Sequence, residues 1–217
     1  MVEDIQAVSQ RANGTGADLK RLFDVVTAIA GIGILSPLLL GIALFVKLSS
    51  PGPVLYRGWR TGLHGRQFRI LKFRTMTVDA EKAGGVHTAR NDPRIIPGGR
   101  FLRKYKLDEW PQLFNVLRGE MSIVGPRPEV AEYTDRYTGM ERLILSVRPG
   151  ITDYSSIEFA SLGDVLGDED TYGVFERVVL PKKNFLRLKY VQERNMLVDL
   201  RIIVETFAVI MKKMARR

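Results

Sequence analysis

Asp108 and Glu109 are adjacent carboxylates, and Arg103, Lys104 and Lys106 precede them within two helical turns. Neighbouring carboxylates repel, so one carboxyl pKa rises unless a cation or hydrogen-bond donors share the charge. Magnesium is one way to share it, because it binds one or two carboxylates together with substrate phosphates. A carboxylate can also attack phosphorus directly, as in aspartyl-phosphate enzymes. Arg103 or the lysines would then hold phosphate oxygens while charge moves to the leaving group. Further on, Pro126-Arg127-Pro128 holds an arginine between two stiff residues, which suits bidentate phosphate binding. Taken alone, an Asp-Glu pair is more often a solvated helix start than a catalytic dyad. The elements around it therefore carry the argument.

The first such element is apolar. Residues 25–46 contain no charged side chain, enough for a helix to cross a bilayer, which takes about 20 residues. A buried soluble helix is the ordinary alternative, but uncharged runs this long are rare in soluble domains. Ser36-Pro37 sits in the middle, where proline removes a backbone donor and bends or breaks the helix. The serine hydroxyl can serve the freed carbonyls. A crossing helix and a re-entrant one are both open. Lys20 and Arg21 before the run and Lys47 after it favour the re-entrant course, since a crossing would export one cationic flank. The run starts too late, is too long and lacks the cleavage site for a signal peptide.

Two β-like segments follow a Pro-Gly turn, at 54–57 and Gln67–Phe73, with a loop between them. Residues 79–97 read as a loop. Helical character returns at 100–106 and 110–117, where Pro111 is tolerable in the first turn. An extended piece at 121–124 leads into Gly125-Pro126-Arg127-Pro128. Residues 129–147 read as a helix and 164–170 as an acidic loop, while 151–159 give no clear pattern. Helices are expected at 172–194, interrupted at Pro181, and at 196–214. In the last, Leu197, Leu200, Val204, Phe207, Ala208, Met211 and Met214 recur at three- and four-residue steps before a basic end. Such a helix can lie on an anionic membrane or dock on the protein core.

Bulk properties fit this reading. The chain has 217 residues, 45% of them hydrophobic, no cysteine and a formal charge of +9. Disulfides and thiolate metal sites are excluded, and the basic excess points to a polyanionic partner. No acidic residue lies between Asp24 and Asp79, so the basic block Lys47, Arg57, Arg60, Arg66, Arg69, Lys72 and Arg74 adjoins the apolar run. Anionic lipid headgroups are natural partners for it. There is no Walker loop or dinucleotide fingerprint, and His64 and His87 lack metal-ligand spacing.

The sequence resembles the bacterial sugar transferase family, the monotopic polyprenyl-phosphate phosphoglycosyl transferases. The resemblance rests on blocks in order: Lys20-Arg21-Leu22-Phe23-Asp24, Ser36-Pro37, Ser50-Pro51-Gly52-Pro53-Val54 and Lys72-Phe73-Arg74-Thr75-Met76. They continue with Leu107-Asp108-Glu109, Gln112-Leu113-Phe114-Asn115-Val116-Leu117, Gly119-Glu120-Met121-Ser122, Val124-Gly125-Pro126-Arg127-Pro128 and Arg148-Pro149-Gly150-Ile151-Thr152. It implies transfer of a phospho-sugar from a UDP-sugar to a polyprenyl phosphate such as undecaprenyl phosphate, releasing UMP, as the first membrane step of a bacterial glycan pathway. Asp108 would be the nucleophile that forms a covalent phosphosugar intermediate, and Glu109 would help hold Mg²⁺ (or Mn²⁺), with both carboxylates in the metal's neighbourhood. Lys72, Arg103 and Arg127 would contact phosphate.

The resemblance also implies an α+β, mostly helical fold. It would have a re-entrant membrane helix broken at Ser36-Pro37, a small β-hairpin and amphipathic interfacial helices. The expected organisation is a polar tail (1–19), the membrane helix (20–48), the catalytic region (49–195) and a basic amphipathic helix (196–217). The implied location is the cytoplasmic face of the bacterial plasma membrane. The partners would be UDP-sugar, polyprenyl phosphate and membrane lipid, with no nucleic acid, and a homodimer is left open. Many relatives continue Pro-Gly-Ile-Thr with Gly-Trp-Ala-Gln-Val-Asn-Gly. This chain has Asp153-Tyr154-Ser155-Ser156-Ile157-Glu158-Phe159, a difference that bears on sugar or nucleotide preference. The additional N-terminal membrane helices of larger members are absent, so a minimal form is expected.

Two alternatives belong to other classes. A membrane-anchored adaptor could bind acidic partners or nucleic acid through residues 47–74, which carry Trp59, Phe68 and Phe73 among the cations. It leaves Asp108, Glu109 and Arg127 unexplained and shows no nucleic-acid motif. A metal-dependent lipid-phosphate phosphatase keeps the membrane site but changes the chemistry.

Overall fold

The computed structural model describes residues 15–80, 92–162 and 170–215. Most of the expected tail, most of the 79–97 loop with His87, and nearly all of the acidic loop fall outside them. The described residues are mostly helical, with two small two-stranded sheets.

Helix α1 spans Thr15–Ser49, so residues 15–19, expected in the tail, are helical. Its 35 residues make it about 52 Å long at 1.5 Å per residue, well beyond a hydrocarbon core of roughly 30 Å. Helical backbone continues through Ser36 and Pro37 without a non-helical residue, so the expected break is not an interruption of the helix. Ser36 Oγ donates to the Gly33 carbonyl at 2.9 Å.

Both ends of α1 dock on the same body. Near its start Arg21 donates to the Val116 and Leu117 carbonyls at 2.7 and 3.1 Å. Buried Asp24 accepts from Ser122 Oγ and from the Ile123 N–H, each at 3.0 Å. Lys20 reaches Asp199 at 2.6 Å. Near its end, Ile42 and Val46 pack with Phe73, Ile96 and Leu102. Between these anchors Ile34, Ser36, Pro37, Leu38 and Leu40 are exposed.

Strands β1 (Leu55–Thr61) and β2 (Gln67–Phe73) form the antiparallel hairpin, in a register that places Trp59 opposite Arg69. β1 is longer than its pattern suggests because Gly58 reads as a breaker. In the fold Gly58 is buried within the strand, and a Cβ there would sit 2.0 Å from the Tyr56 hydroxyl, so the missing side chain makes room for that ring. Phe68 and Ile70 point from β2 into a core shared with Ala28, Leu113, Val116, Met121 and Val124. Helices α2 (Gly99–Lys104) and α3 (Gln112–Leu117) follow, separated by a 3₁₀ turn at Leu107–Glu109.

β3 (Ser122–Val124) pairs in parallel with β4 (Gly150–Thr152). The long helix expected over 129–147 is instead a short α4 (Ala131–Thr134) and a 3₁₀ segment, Gly139–Ser146. Thr138 is extended and Gly139 has φ 49°, which breaks the helical path between them. α5 (Tyr154–Glu158) directly follows β4. α6 (Thr171–Val174) runs through a π turn, Phe175–Val179, into α7 (Leu180–Glu193). Pro181 lies in the first turn of α7, where its missing N–H is harmless, so it does not interrupt the helix.

α8 (Met196–Ala215) closes the chain. It docks through Asp199 and Ile202, both buried. The periodic residues Leu197, Leu200, Val204, Phe207, Met211 and Met214 are exposed, so that stripe is not the docked face.

Candidate active site

Five segments supply the charged side chains of the site. β2 supplies Lys72, and the 3₁₀ turn supplies Asp108 and Glu109. The segment after β3 supplies Arg127. The residue after β4 is Asp153, and α7 carries Lys183 and Arg187. Lys106 sets the turn: its φ of 59° is left-handed, a conformation most side chains avoid. It ends the α2 segment and turns both following carboxylates inward, where each is only 7% exposed.

The two acids have different surroundings. Glu109 is enclosed by cations. Arg127 grips it with both guanidinium nitrogens, Nη1 to Oε2 at 3.0 Å and Nη2 to Oε1. Lys72 donates to Oε1 at 3.0 Å, and Lys106 lies 3.9 Å from it. Burial works against the charge, but Arg127, Lys106 and Lys72 hold the Glu109 carboxyl well below the usual range. Asp108 Oδ1 is buried with no hydrogen-bond partner among the described residues. Burial, and then the Glu109 charge, push its carboxyl upward, against Lys72, Lys106 and Arg103. Burial also lowers the Lys72 ammonium to about 8, with Glu109 opposing. The pair is thus one anchored carboxylate and one unanchored one.

Arg127 is itself placed by β3 and β4. Gly125 and Gly150 meet backbone to backbone: a Cβ on Gly150 would lie 2.0 Å from the Gly125 nitrogen. The Gly125 N–H donates to the Thr152 carbonyl and the Gly150 N–H to the Pro126 carbonyl, each at 3.0 Å. Asp153, fully buried, accepts from the Arg127 N–H at 3.2 Å and caps α5 through the Ser156 N–H at 2.7 Å. The Asp153 to Phe159 stretch therefore starts as a support for Arg127.

Behind Arg127 is a second buried charge cluster. Arg187, fully buried, donates to Glu129 at 2.6 Å, and Lys183 lies 3.9 Å from the same carboxylate. Burial opposes the Glu129 charge, yet Arg187 and Lys183 hold its carboxyl down to about 2. Burial brings the Lys183 ammonium down to about 8.

Of the residues expected at the site, Lys72, Asp108, Glu109 and Arg127 come together. Arg103 acts on Asp108 through charge, with no ion-pair partner among the described residues. Ser36 and Pro37 lie on the exposed middle of α1. Sequence reasoning missed Gln112, Glu129, Asp153, Lys183 and Arg187. Glu129 sits two residues past Arg127, and that proximity was the one available signal.

The donor set was tested against a divalent cation. Among the described residues no group of three or more His, Cys, Asp or Glu forms a cage. A buried carboxylate oxygen on Asp108 has no partner among these residues. That suits a hard cation held by one or two carboxylates and otherwise by substrate phosphates.

A family model described as bacterial sugar transferase matches residues 15–213. Three similar curated proteins illustrate the relationship. A UDP-glucose:undecaprenyl-phosphate glucose-1-phosphate transferase of Escherichia coli is 39% identical over 197 residues, covering 89% of this chain and 40% of that protein. A UDP-N-acetylgalactosamine-undecaprenyl-phosphate N-acetylgalactosaminephosphotransferase of Aeromonas hydrophila is 38% identical over 174 residues, covering 78% and 40%. A UDP-glucose:undecaprenyl-phosphate glucose-1-phosphate transferase of Caulobacter vibrioides is 36% identical over 190 residues, covering 86% and 67%. The chain spans about two fifths of the length of the first two.

Proposed function

The chain belongs to the bacterial sugar transferase family, and from that premise we propose that it is a phosphoglycosyl transferase. It moves a sugar 1-phosphate from a UDP-sugar to undecaprenyl phosphate, giving undecaprenyl-diphosphate sugar and UMP. The relatives' names supply the substrate classes. The observation that carries the mechanism is the asymmetry of the dyad: Glu109 is gripped by Arg127 and Lys72, while Asp108 Oδ1 has no partner.

In the first step an Asp108 carboxylate oxygen attacks the sugar-bearing phosphorus. The bond from that phosphorus to the oxygen bridging the two phosphates breaks, and UMP leaves with the electron pair. In the second step a phosphate oxygen of undecaprenyl phosphate attacks the same phosphorus. The bond to Asp108 breaks and its carboxylate is restored. Lys72 and Arg127 present positive charge to the phosphoryl oxygens, and Arg103 adds to the field at Asp108. Asp108 and Glu109 would hold Mg²⁺ (or Mn²⁺). That ion, when bound, neutralises diphosphate charge and favours loss of UMP.

The proposed location draws support from α1. Its anchors at Lys20–Asp24 and at Ile42–Val46 both grip the catalytic body, while the middle at Ser36-Pro37 is apolar and exposed. A crossing helix would put one anchor on the far side of the bilayer. Two anchors on one body support a re-entrant course and a monotopic protein, and we place the active site at the cytoplasmic face as part of the same reading. The exposed apolar stripe of α8 supports lying at the same interface. A water-soluble nucleotide sugar can meet a lipid-tethered phosphate there.

The test is a panel of UDP-sugars with undecaprenyl phosphate and Mg²⁺, read as UMP and lipid-linked sugar. Release of inorganic phosphate with no UMP from any UDP-sugar would contradict the reading.

A further inference from the structure

Gln112 is fully buried, yet neither its Nε2 nor its Oε1 has a hydrogen-bond partner among the described residues. A buried carboxamide left so is unusual and calls for a reason. The fold is able to satisfy such a group nearby. Asn115, equally buried, accepts from the Leu71 N–H at 2.9 Å and donates to the Arg69 carbonyl at 2.9 Å and to Glu120 at 2.7 Å. Asp108 Oδ1 is the other orphaned buried atom in this segment.

The backbone links the two. The 3₁₀ turn Leu107–Glu109 leads through Trp110 (φ −58°, ψ −32°) and Pro111 (φ −61°, ψ −13°) into α3, right-handed helical throughout. Asp108 and Gln112 are thus four residues apart along one right-handed run, both buried. One carries an unpaired donor and the other an unpaired acceptor, both buried.

We propose that Gln112 is a positioning residue: in the substrate-bound enzyme its carboxamide N–H donates to Asp108 Oδ1 and turns the other carboxylate oxygen toward the phosphorus. Lys72 and Arg127 are instead bonded to Glu109. A neutral donor also fixes the nucleophile without an ion pair that would blunt it. The inference rests on the transferase reading, with Asp108 as the attacking group.

The experiment measures covalent phosphosugar on the detergent-solubilised full chain, mixed with excess labelled UDP-sugar and Mg²⁺ and no acceptor. Gln112→Met keeps the length and loses the donor. Removing an unsatisfied buried amide is close to neutral for stability, so Tm is expected to hold. The rate of adduct formation at saturating UDP-sugar is expected to fall about tenfold, the size of one hydrogen bond, with the half-saturating UDP-sugar concentration unchanged. Gln112→Glu, nearly isosteric, replaces the donor with a carboxylate and is expected to be at least as slow, so it serves if the methionine variant does not fold. Adduct in the wild type with an unchanged rate in either variant would overturn the inference. So would a rate loss matched by a fall in Tm and weaker UDP-sugar saturation, the mark of a structural role. Absence of adduct in the wild type would instead refute the transferase reading.

Discussion

Replacing Glu129 with glutamine removes the carboxylate that stands at ion-pair distance from both Arg187 and Lys183. The carboxyl is held at about 2 instead of the ordinary 4.5. At about 1.4 kcal/mol per pH unit, that gap is worth about 3 kcal/mol at neutral pH. The same size is expected from breaking a buried ion pair and leaving the cation behind, about 3–5 kcal/mol. The sign follows from the depressed carboxyl: the stabilisation is complete above pH 4.5 and is lost as pH falls toward 2. The assay is denaturant unfolding of wild type and Glu129→Gln in one detergent, followed by tryptophan fluorescence at steps from pH 7 to pH 2. The two should differ by about 3 kcal/mol at pH 7 and converge across the acid range. A constant difference down to pH 2, or none at pH 7, would refute the reasoning, because a charge interaction must vanish when the carboxylate is protonated.

Arg127→Met leaves Glu109 buried with Lys72 as its close partner, and should cost about 3–5 kcal/mol of stability and at least about a hundredfold in adduct formation. Arg127→Lys keeps the charge but loses the two-pronged grip, so it should recover stability more than rate; equal recovery of both would argue against bidentate recognition. Lys72 loses its proton near pH 8, so adduct formation should decline above that pH. Lys72→Arg stays charged and should remove this limb; an unchanged limb in the variant would assign it to another group. Gly150→Ala drives a methyl into the Gly125 backbone, which cannot swing aside as a side chain could. It should unfold the β3–β4 pairing and abolish activity, measurable as loss of a cooperative transition, whereas near-normal melting would contradict the close approach.

The sequence carried what is local. A long uncharged run, an alternating hairpin and a three-and-four apolar stripe each repeat within one element, so α1, β2 and α8 were legible. The dyad was legible because Asp108 and Glu109 are adjacent. The inequality between them was not, since it depends on Lys72 and Arg127, which only tertiary structure brings to Glu109. β3 was legible as an extended piece at 121–124, but β4 and the pairing were hidden for a similar reason: a three-residue strand carries almost no periodicity, and the pairing joins Ser122 to Gly150. Lys106 in a left-handed conformation has no sequence signature, so the tight turn that buries the dyad could not be anticipated. The helix read over 129–147 failed because apolar spacing cannot detect the extended Thr138 and left-handed Gly139.

The central claim is that Asp108, and not Glu109, attacks phosphorus. Its most direct measurement is peptide mapping of the chain after brief exposure to a UDP-sugar labelled in the sugar-bearing phosphate, with Mg²⁺ and no acceptor. The account predicts label on Asp108, discharged when undecaprenyl phosphate is added, and none in Asp108→Asn. Label on Glu109, or normal turnover by Asp108→Asn without a labelled protein, would contradict it.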